Sequence, residues 1–421
     1  MIVTREQHCF LHRMIRATQS RFHGIPICIV GGYDLALRIP FLKRLEEAGF
    51  ELIAIGSGPE APFRGHGIRF VNYPMYRGIN PWLDLGTLNQ LTSILAREKP
   101  TIVHAFDTKP SIYAIWAART AGVPIRIRTI TGLGEVYSKR SPFWMALGVV
   151  LTLMHRYASR QSQFNAFYNH YDYEFAITHW SVKPERAAVV PGSGIDVEQF
   201  QAQIPCREKL ETLRRQLAPD GGPIIVMISR ILREKGVLEY SAAARKVRAA
   251  FPRAHFYLVG HIEPAGSRTI TIQQLGRASP DVTWLGPRED VPALLSVADL
   301  LVLPTFYGEG IPRVLLEAGL ARTAVVASEV AGCTEVIRHT ENGWLVPPRN
   351  SEMLADAISF LLGHPELRNQ LAQQLAAEID AKFSLARIVD IWLSIYEKLL
   401  SEIPAGPTPG FGQLTANSIC K

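Results

Sequence analysis

DLLVLPTFYGEGIPRVLLEAGLARTAVVAS, residues 299–328, holds the pattern that decides the fold. DLLVLP (299–304) is a short apolar run bounded by Pro, which reads as a strand. A helix follows over 312–321, and Pro312 suits its first turn, where the missing N–H is not needed. TAVVAS (323–328) is the next strand. Strand, helix and strand in this order build a parallel sheet covered by helices.

The same rhythm extends in both directions. PIIVMISR (223–230), a helix over 237–250, HFYLVG (255–260) and VTWLG (282–286) precede it, and GWLVP (343–347) with a helix over 351–362 follows. An earlier cycle runs through IPICIV (25–30), a helix over 34–48, FELIAI (50–55) and IRFV (68–71). It continues with a helix over 83–98, TIVHAF (101–106), a helix over 111–121 and PIRIRTI (124–130). The loop VVPGSGIDVEQF (189–200) breaks the pattern, and the hinge between the cycles is placed shortly after it. The chain therefore reads as α/β, with two successive doubly wound domains.

At 421 residues and 47% hydrophobic, the chain is larger than one core usually encloses, in keeping with two domains. With 20% charged residues it does not resemble a disordered chain. A net charge of +7 points to anionic partners without choosing among phosphates, headgroups and nucleic acid. No nucleic-acid-reading motif or dense Lys/Arg cluster is present, so nucleic acid is set aside. The five cysteines are scattered without a C-x-x-C pair, which fits a reducing, cytoplasmic compartment. No secretory signal and no run of about 20 apolar residues occurs. IVGGYDLA lacks the G-x-G-x-x-G spacing of a dinucleotide site, which argues against NAD.

In open parallel sheets ligands bind beyond the carboxyl ends of the strands, which draws attention to Arg230, Gly260, Gly286 and Glu309. Arg230 ends a strand, and Lys235 follows in SRILREKG. A guanidinium fork and a compact ammonium together neutralise a diphosphate and stabilise its departure. As isolated residues they would read as solvated surface charges. In YGEGIPRVLLE (307–317), Gly310 admits a ligand close to the backbone, and the amides of Gly310, Ile311 and Arg313 are donors at a helix start. Glu309 at its mouth is an acceptor for sugar hydroxyls, and Glu317, nearly two turns on, reaches a vicinal diol such as ribose. Taken singly, either glutamate reads as an ordinary helix charge.

These residues resemble the donor half of retaining glycosyltransferases of family 4, which have the two-domain GT-B fold. The resemblance covers PGSGID (191–196), ISRILREKG (228–236), WLG near Arg288 (284–288), the block 298–318, AGCTEVI (331–337) and NGWLVPP (342–348). It implies that Arg230 and Lys235 bind the nucleotide diphosphate, that Arg288 lies on the donor side, that Glu309 contacts the donor sugar, and that Glu317 binds ribose. Gly31 and Gly32 resemble the family's glycine loop beside the donor phosphates. GEGIPRVLLEA, VHAFDTKP (103–110) and RTITGLGE (128–135) are similar to the branch that builds bacterial surface polysaccharides on polyprenyl diphosphate. Lys109, Arg128 and Thr131 are the acceptor-side candidates, Thr131 standing where many relatives have histidine. His104 is given no catalytic role.

The resemblance implies a retaining transfer from a nucleotide diphosphate sugar, UDP-linked, to a polyprenyl-diphosphate-linked saccharide. Front-face departure is favoured over Glu309 as a covalent nucleophile. No D-x-D pair occurs, so no metal is expected, and Arg230, Lys235 and the helix-end amides replace it. An epimerase or hydrolase on the same scaffold, or an idle sugar-nucleotide-binding protein, is the alternative. The domains are expected as an extension (1–24), an acceptor-binding domain (25–200), a nucleotide-sugar-binding domain (201–385), a helix crossing back to the first domain (386–402) and a flexible tail (403–421). SKRSPFWMALGVVLTLMHRYASR (138–160) joins an apolar run to Lys139, Arg140, Arg156 and Arg160. It is expected to lie on the anionic cytoplasmic face of the inner membrane with Phe143, Trp144 and Leu147 in the acyl region; packing on the sheet is the competing reading.

Overall fold

The computed structural model describes residues 22–76, 78, 80–134, 136–138, 141–262, 270 and 281–403. Residues 1–21 of the expected extension, the tail from 404, and Lys139 and Arg140 lie outside the described residues. The first sheet comprises β1 (Pro26–Val30), β2 (Glu51–Gly56), β3 (Phe70–Asn72), β4 (Ile102–Phe106), β5 (Ile125–Ile130), β6 (Phe164–Phe167) and β7 (Ala187–Val189). Their spatial order is β3-β2-β1-β4-β5-β6-β7. The second comprises β8 (Ile224–Ile228), β9 (His255–Val259), β10 (Val282–Trp284), β11 (Leu300–Leu303), β12 (Ala324–Ser328) and β13 (Trp344–Val346), ordered β10-β9-β8-β11-β12-β13. The pairings within each sheet are parallel. In both, the winding direction reverses beside the first strand, between β1 and β4 and between β8 and β11. Such switch points leave a crevice at the strand ends.

Central strands are buried on both faces, as parallel strands between helical layers must be, and Ile27, Ile29, Val226, Leu301 and Val326 are fully enclosed. Every apolar run read as a strand is one. The helix expected over 34–48 is instead a 3₁₀ turn, Leu35–Arg38, followed by an α-helix, Ile39–Glu47, with Pro40 in its first turn.

The chain crosses between the sheets at two places that touch. Ile195 accepts from the Leu385 amide at 2.8 Å and donates to the Phe383 carbonyl at 2.9 Å. Beyond this bridge the helix Leu385–Ser401 packs on the first sheet, burying Ile388, Trp392 and Tyr396 with Ile27, Ile29 and Phe41. Tyr396 Oη lies 2.6 Å from His104 Nδ1, and His104 Nε2 lies 2.7 Å from Thr129 Oγ1. Burial holds His104 well below its ordinary pKa, so this is a neutral structural staple.

Candidate active site at two facing switch points

Arg230 and Lys235 lie on the loop after β8, and Glu309 lies on the loop after β11, so the second switch point gathers them. Lys235 closes a 3₁₀ turn, Arg233–Lys235, before Gly236, whose φ of 80° is left-handed. A side chain at Gly236 would strike the Pro304 carbonyl, so glycine lets the two loops touch. The Phe306 amide and the Thr305 hydroxyl both donate to the Glu234 carbonyl, at 3.0 and 3.1 Å. This nesting sets Lys235 Nζ 2.6 Å from Glu309 Oε1, an ion pair not aligned as a hydrogen bond. Lys235 is only 7% exposed; Arg230 is exposed.

The helix Arg313–Leu320 begins beyond Pro312, which is its N-cap rather than its first residue. Among the described residues, the amides of Gly310, Ile311 and Arg313 donate no hydrogen bond. They are open donors at a positive helix end beside an ammonium, an arrangement suited to an anion. Glu317 is largely buried, its carboxyl raised above the ordinary range by that burial and held by Arg313 Nε at 2.9 Å. The Arg313 guanidinium is thus engaged with Glu317 while its amide faces the helix mouth.

The first switch point meets this loop through backbone. A methyl group at Gly310 would run into the Thr131 carbonyl oxygen and lie 2.9 Å from the Tyr168 ring, and Gly132 borders the Gly310 amide. Asn169 Nδ2 donates to the Glu309 and Gly310 carbonyls at 3.2 and 3.4 Å, while its Oδ1 caps the helix His170–Trp180. Beneath it Asp172 is buried and pushed up to about 7. Gly31 is bound by its amide to the Ile55 carbonyl, and the Gly32 amide points at Asp107 Oδ2, 3.4 Å away. Thr131 donates to Asp107 Oδ1 at 3.0 Å.

Arg288, Lys109 and Arg128 are also occupied. Arg288 pairs with Asp290 through Nε at 2.7 Å and Nη2 at 2.5 Å. Lys109 binds Asp84 and the Tyr76 and Gly78 carbonyls, each at 2.7 Å, so it clamps a loop rather than offering charge to an acceptor. Arg128 is fully buried, bonded to Ser159 Oγ at 2.8 Å and His155 Nδ1 at 2.6 Å, and burial pulls it down to about 9. It belongs to the core, which corrects its placement on the acceptor side. Asp107 and Asn169 were not singled out by sequence; the N-cap residue type before HYDYEF is the only signal for Asn169.

Residues 41–199 match the family model for Glycosyltransferase Family 4, and residues 209–377 match that for Glycosyl transferases group 1. The chain belongs to these glycosyltransferases. It is 27% identical over 369 residues to the N,N'-diacetylbacillosaminyl-diphospho-undecaprenol alpha-1,3-N-acetylgalactosaminyltransferase of Campylobacter jejuni, covering 87% of this chain and 96% of that one. It is 25% identical to the UDP-Gal:alpha-D-GlcNAc-diphosphoundecaprenol alpha-1,3-galactosyltransferase of Escherichia coli, covering 83% and 89%. Solved structures share the GT-B fold. A glycosyltransferase from Rickettsia africae aligns with a TM-score of 0.72 at 19% identity, over 91% of this chain and all of that one. Anabaena HepE in complex with UDP and glucose aligns at 0.68 and 20%, over 90% and all.

Proposed function

We propose that this glycosyltransferase moves a sugar from a UDP-sugar to a hydroxyl of an undecaprenyl-diphosphate-linked saccharide in surface polysaccharide assembly, with retention and without a metal. The observation that carries the reading is the buried Lys235 held against Glu309 at a helix mouth with open amides. Near-complete coverage of two relatives named for diphosphoundecaprenol acceptors supports the acceptor class. HepE, named with UDP and glucose, supports the donor class. In this reading Lys235, Arg230 and the amides of Gly310 and Ile311 neutralise the departing diphosphate, Glu309 orients the sugar, and Glu317 holds the ribose diol. The acceptor hydroxyl attacks the face the diphosphate leaves. Incubation with a panel of nucleotide sugars and a short-chain prenyl-diphosphate saccharide, in excess EDTA, should give an elongated lipid with the donor's anomeric configuration. Inverted product, or activity lost in EDTA and restored by manganese, would overturn retention or the metal-free route respectively.

A membrane face is the second part of the proposal. No helix among the described residues is long and apolar enough to cross a membrane. The helix Pro142–Gln161 packs its apolar run on the first-sheet core in part, through Leu151 and Met154, while Phe143, Met145, Val149, Val150 and Leu153 are exposed. Of the three residues expected in the acyl region, Phe143 is exposed and Trp144 and Leu147 are half-buried. The helix Pro81–Glu98, whose Leu88 lines one cavity with Trp116, Leu153 and Tyr157, exposes Trp82, Leu83 and Leu85. Exposed apolar patches of this kind mark interaction surfaces, and Arg160 at the helix end suits anionic headgroups. We expect Val149→Ser/Val150→Ser/Leu153→Ser to lose most binding to phosphatidylglycerol vesicles in flotation without a lower melting temperature. Unchanged flotation would remove the helix from membrane contact.

A further inference from the structure

The first switch point carries a residue to which the proposed reaction gives no task. We infer that Asp107 is a positioning residue for the transfer, its carboxylate setting the strand-end loops of the first sheet against the donor loop at Gly310. The inference rests on the transferase reading above.

Asp107 stands where β4 gives way to the helix Thr108–Thr120, the place in the first sheet that Glu309's loop holds in the second. Its φ of 68° and ψ of 163° fall in a region essentially reserved for glycine. Glycine would sit there without strain, so what aspartate adds is its carboxylate. Oδ1 receives Arg38 Nη2 and the Thr131 hydroxyl, each at 3.0 Å, and Oδ2 faces the Gly32 amide. These partners come from the 3₁₀ turn and the loops after β5 and β1. The neighbouring Thr108 donates to the Gly132 carbonyl at 2.8 Å, so residues 107 and 108 together hold 131 and 132.

Two routes lead from this carboxylate to the donor loop. One runs through Thr131, whose carbonyl touches Gly310. The other runs through Arg38, buried with its guanidinium 4.5 Å over the Phe106 ring and beside Tyr168, whose ring borders the same glycine. Gly310 follows Glu309, the partner of Lys235. A strained residue persists only where its surroundings over-determine it, and such residues gather at functional sites. Here the direct surroundings are the strand-end loops of the first sheet, and the donor loop is reached through Thr131 at Gly310.

Asp107→Gly alone would orphan the buried Arg38, so the informative variant is Arg38→Met/Asp107→Gly, which removes both charges and places glycine in its preferred conformation. Its melting temperature should match or exceed the wild type, while kcat for transfer falls about tenfold or more at an unchanged donor KM. Asp107→Asn, which keeps the strain without the charge, should lose turnover with no gain in melting temperature. UDP binding by calorimetry should be retained in both, since Arg230 and Lys235, the cations given to the diphosphate, keep their places. Turnover in the double variant within about twofold of wild type, or a joint fall in melting temperature and turnover, would overturn the inference. A wild type that neither binds UDP nor transfers from any UDP-sugar would fail the transferase reading itself, and the inference with it.

Discussion

Lys235→Ala is expected to slow sugar transfer about a hundredfold or more, the usual loss for removing one preorganised charge-stabilising group. The ammonium is buried and fixed by the turn that ends at Gly236, so it needs no reorganisation when negative charge develops on a leaving diphosphate. In the structure that charge is balanced by Glu309 at 2.6 Å. A competing account makes Lys235 the counter-ion of Glu309 and nothing more, and the single variant would damage the site under either account because it strands a mostly buried carboxylate. Lys235→Ala/Glu309→Gln separates them. Melting temperature should recover toward the wild type while release of the nucleotide stays slow. A double variant with wild-type turnover would reduce Lys235 to a structural partner. Arg230→Ala should cost less than Lys235→Ala, because Arg230 is exposed and its field is screened by solvent and salt.

How much of this was legible in the sequence depends on how local the cause is. The strands of both sheets were readable because parallel strands between helices are continuous apolar runs. β6 and β7 escaped because FNAF carries a polar Asn165 at its centre and AAV has only three residues, both at the side of the sheet away from the switch. The second switch point was readable because its residues lie within two short loops with recognisable helix-start chemistry. The Lys235–Glu309 pair itself was not, since it joins positions far apart in the chain.

Charge was the least reliable guide in the first domain. IRIRTI alternates Ile with Arg, a pattern that suits one wet face, yet helices cover both faces and Arg128 is absorbed by Ser111, Ser159 and His155. Lys109 looked available until Asp84, on another helix, was seen beside it. Asp107 shows the converse, because no residue type announces a left-handed backbone. Its role appears only when the loops after β1 and β5 are seen converging on it.

Gly310→Ala should abolish most transfer while sparing both cores, because the added methyl group has nowhere to go. Its own backbone tolerates alanine, since Gly310 is not among the residues with positive φ. The obstruction is the Thr131 carbonyl, fixed at the end of β5 and held by Asp107 and Thr108 through residues 131 and 132, with the Tyr168 ring at 2.9 Å on the same side. A backbone oxygen cannot rotate away as a side-chain tip can, so the two loops must separate. Overpacking of this kind costs about 1–3 kcal/mol, and a misplacement of about 1 Å at the reacting centre costs about a hundredfold in rate. Turnover should therefore fall by about that factor. Gly308→Ala is the matched control: its methyl group would meet only the Ala331 side chain at an ordinary 3.6 Å. Equal losses in the two variants would mean that any side chain in this loop is harmful and that the contact with Thr131 has no special part. Wild-type turnover in Gly310→Ala would mean that the strand ends of the two sheets do not meet here during the reaction.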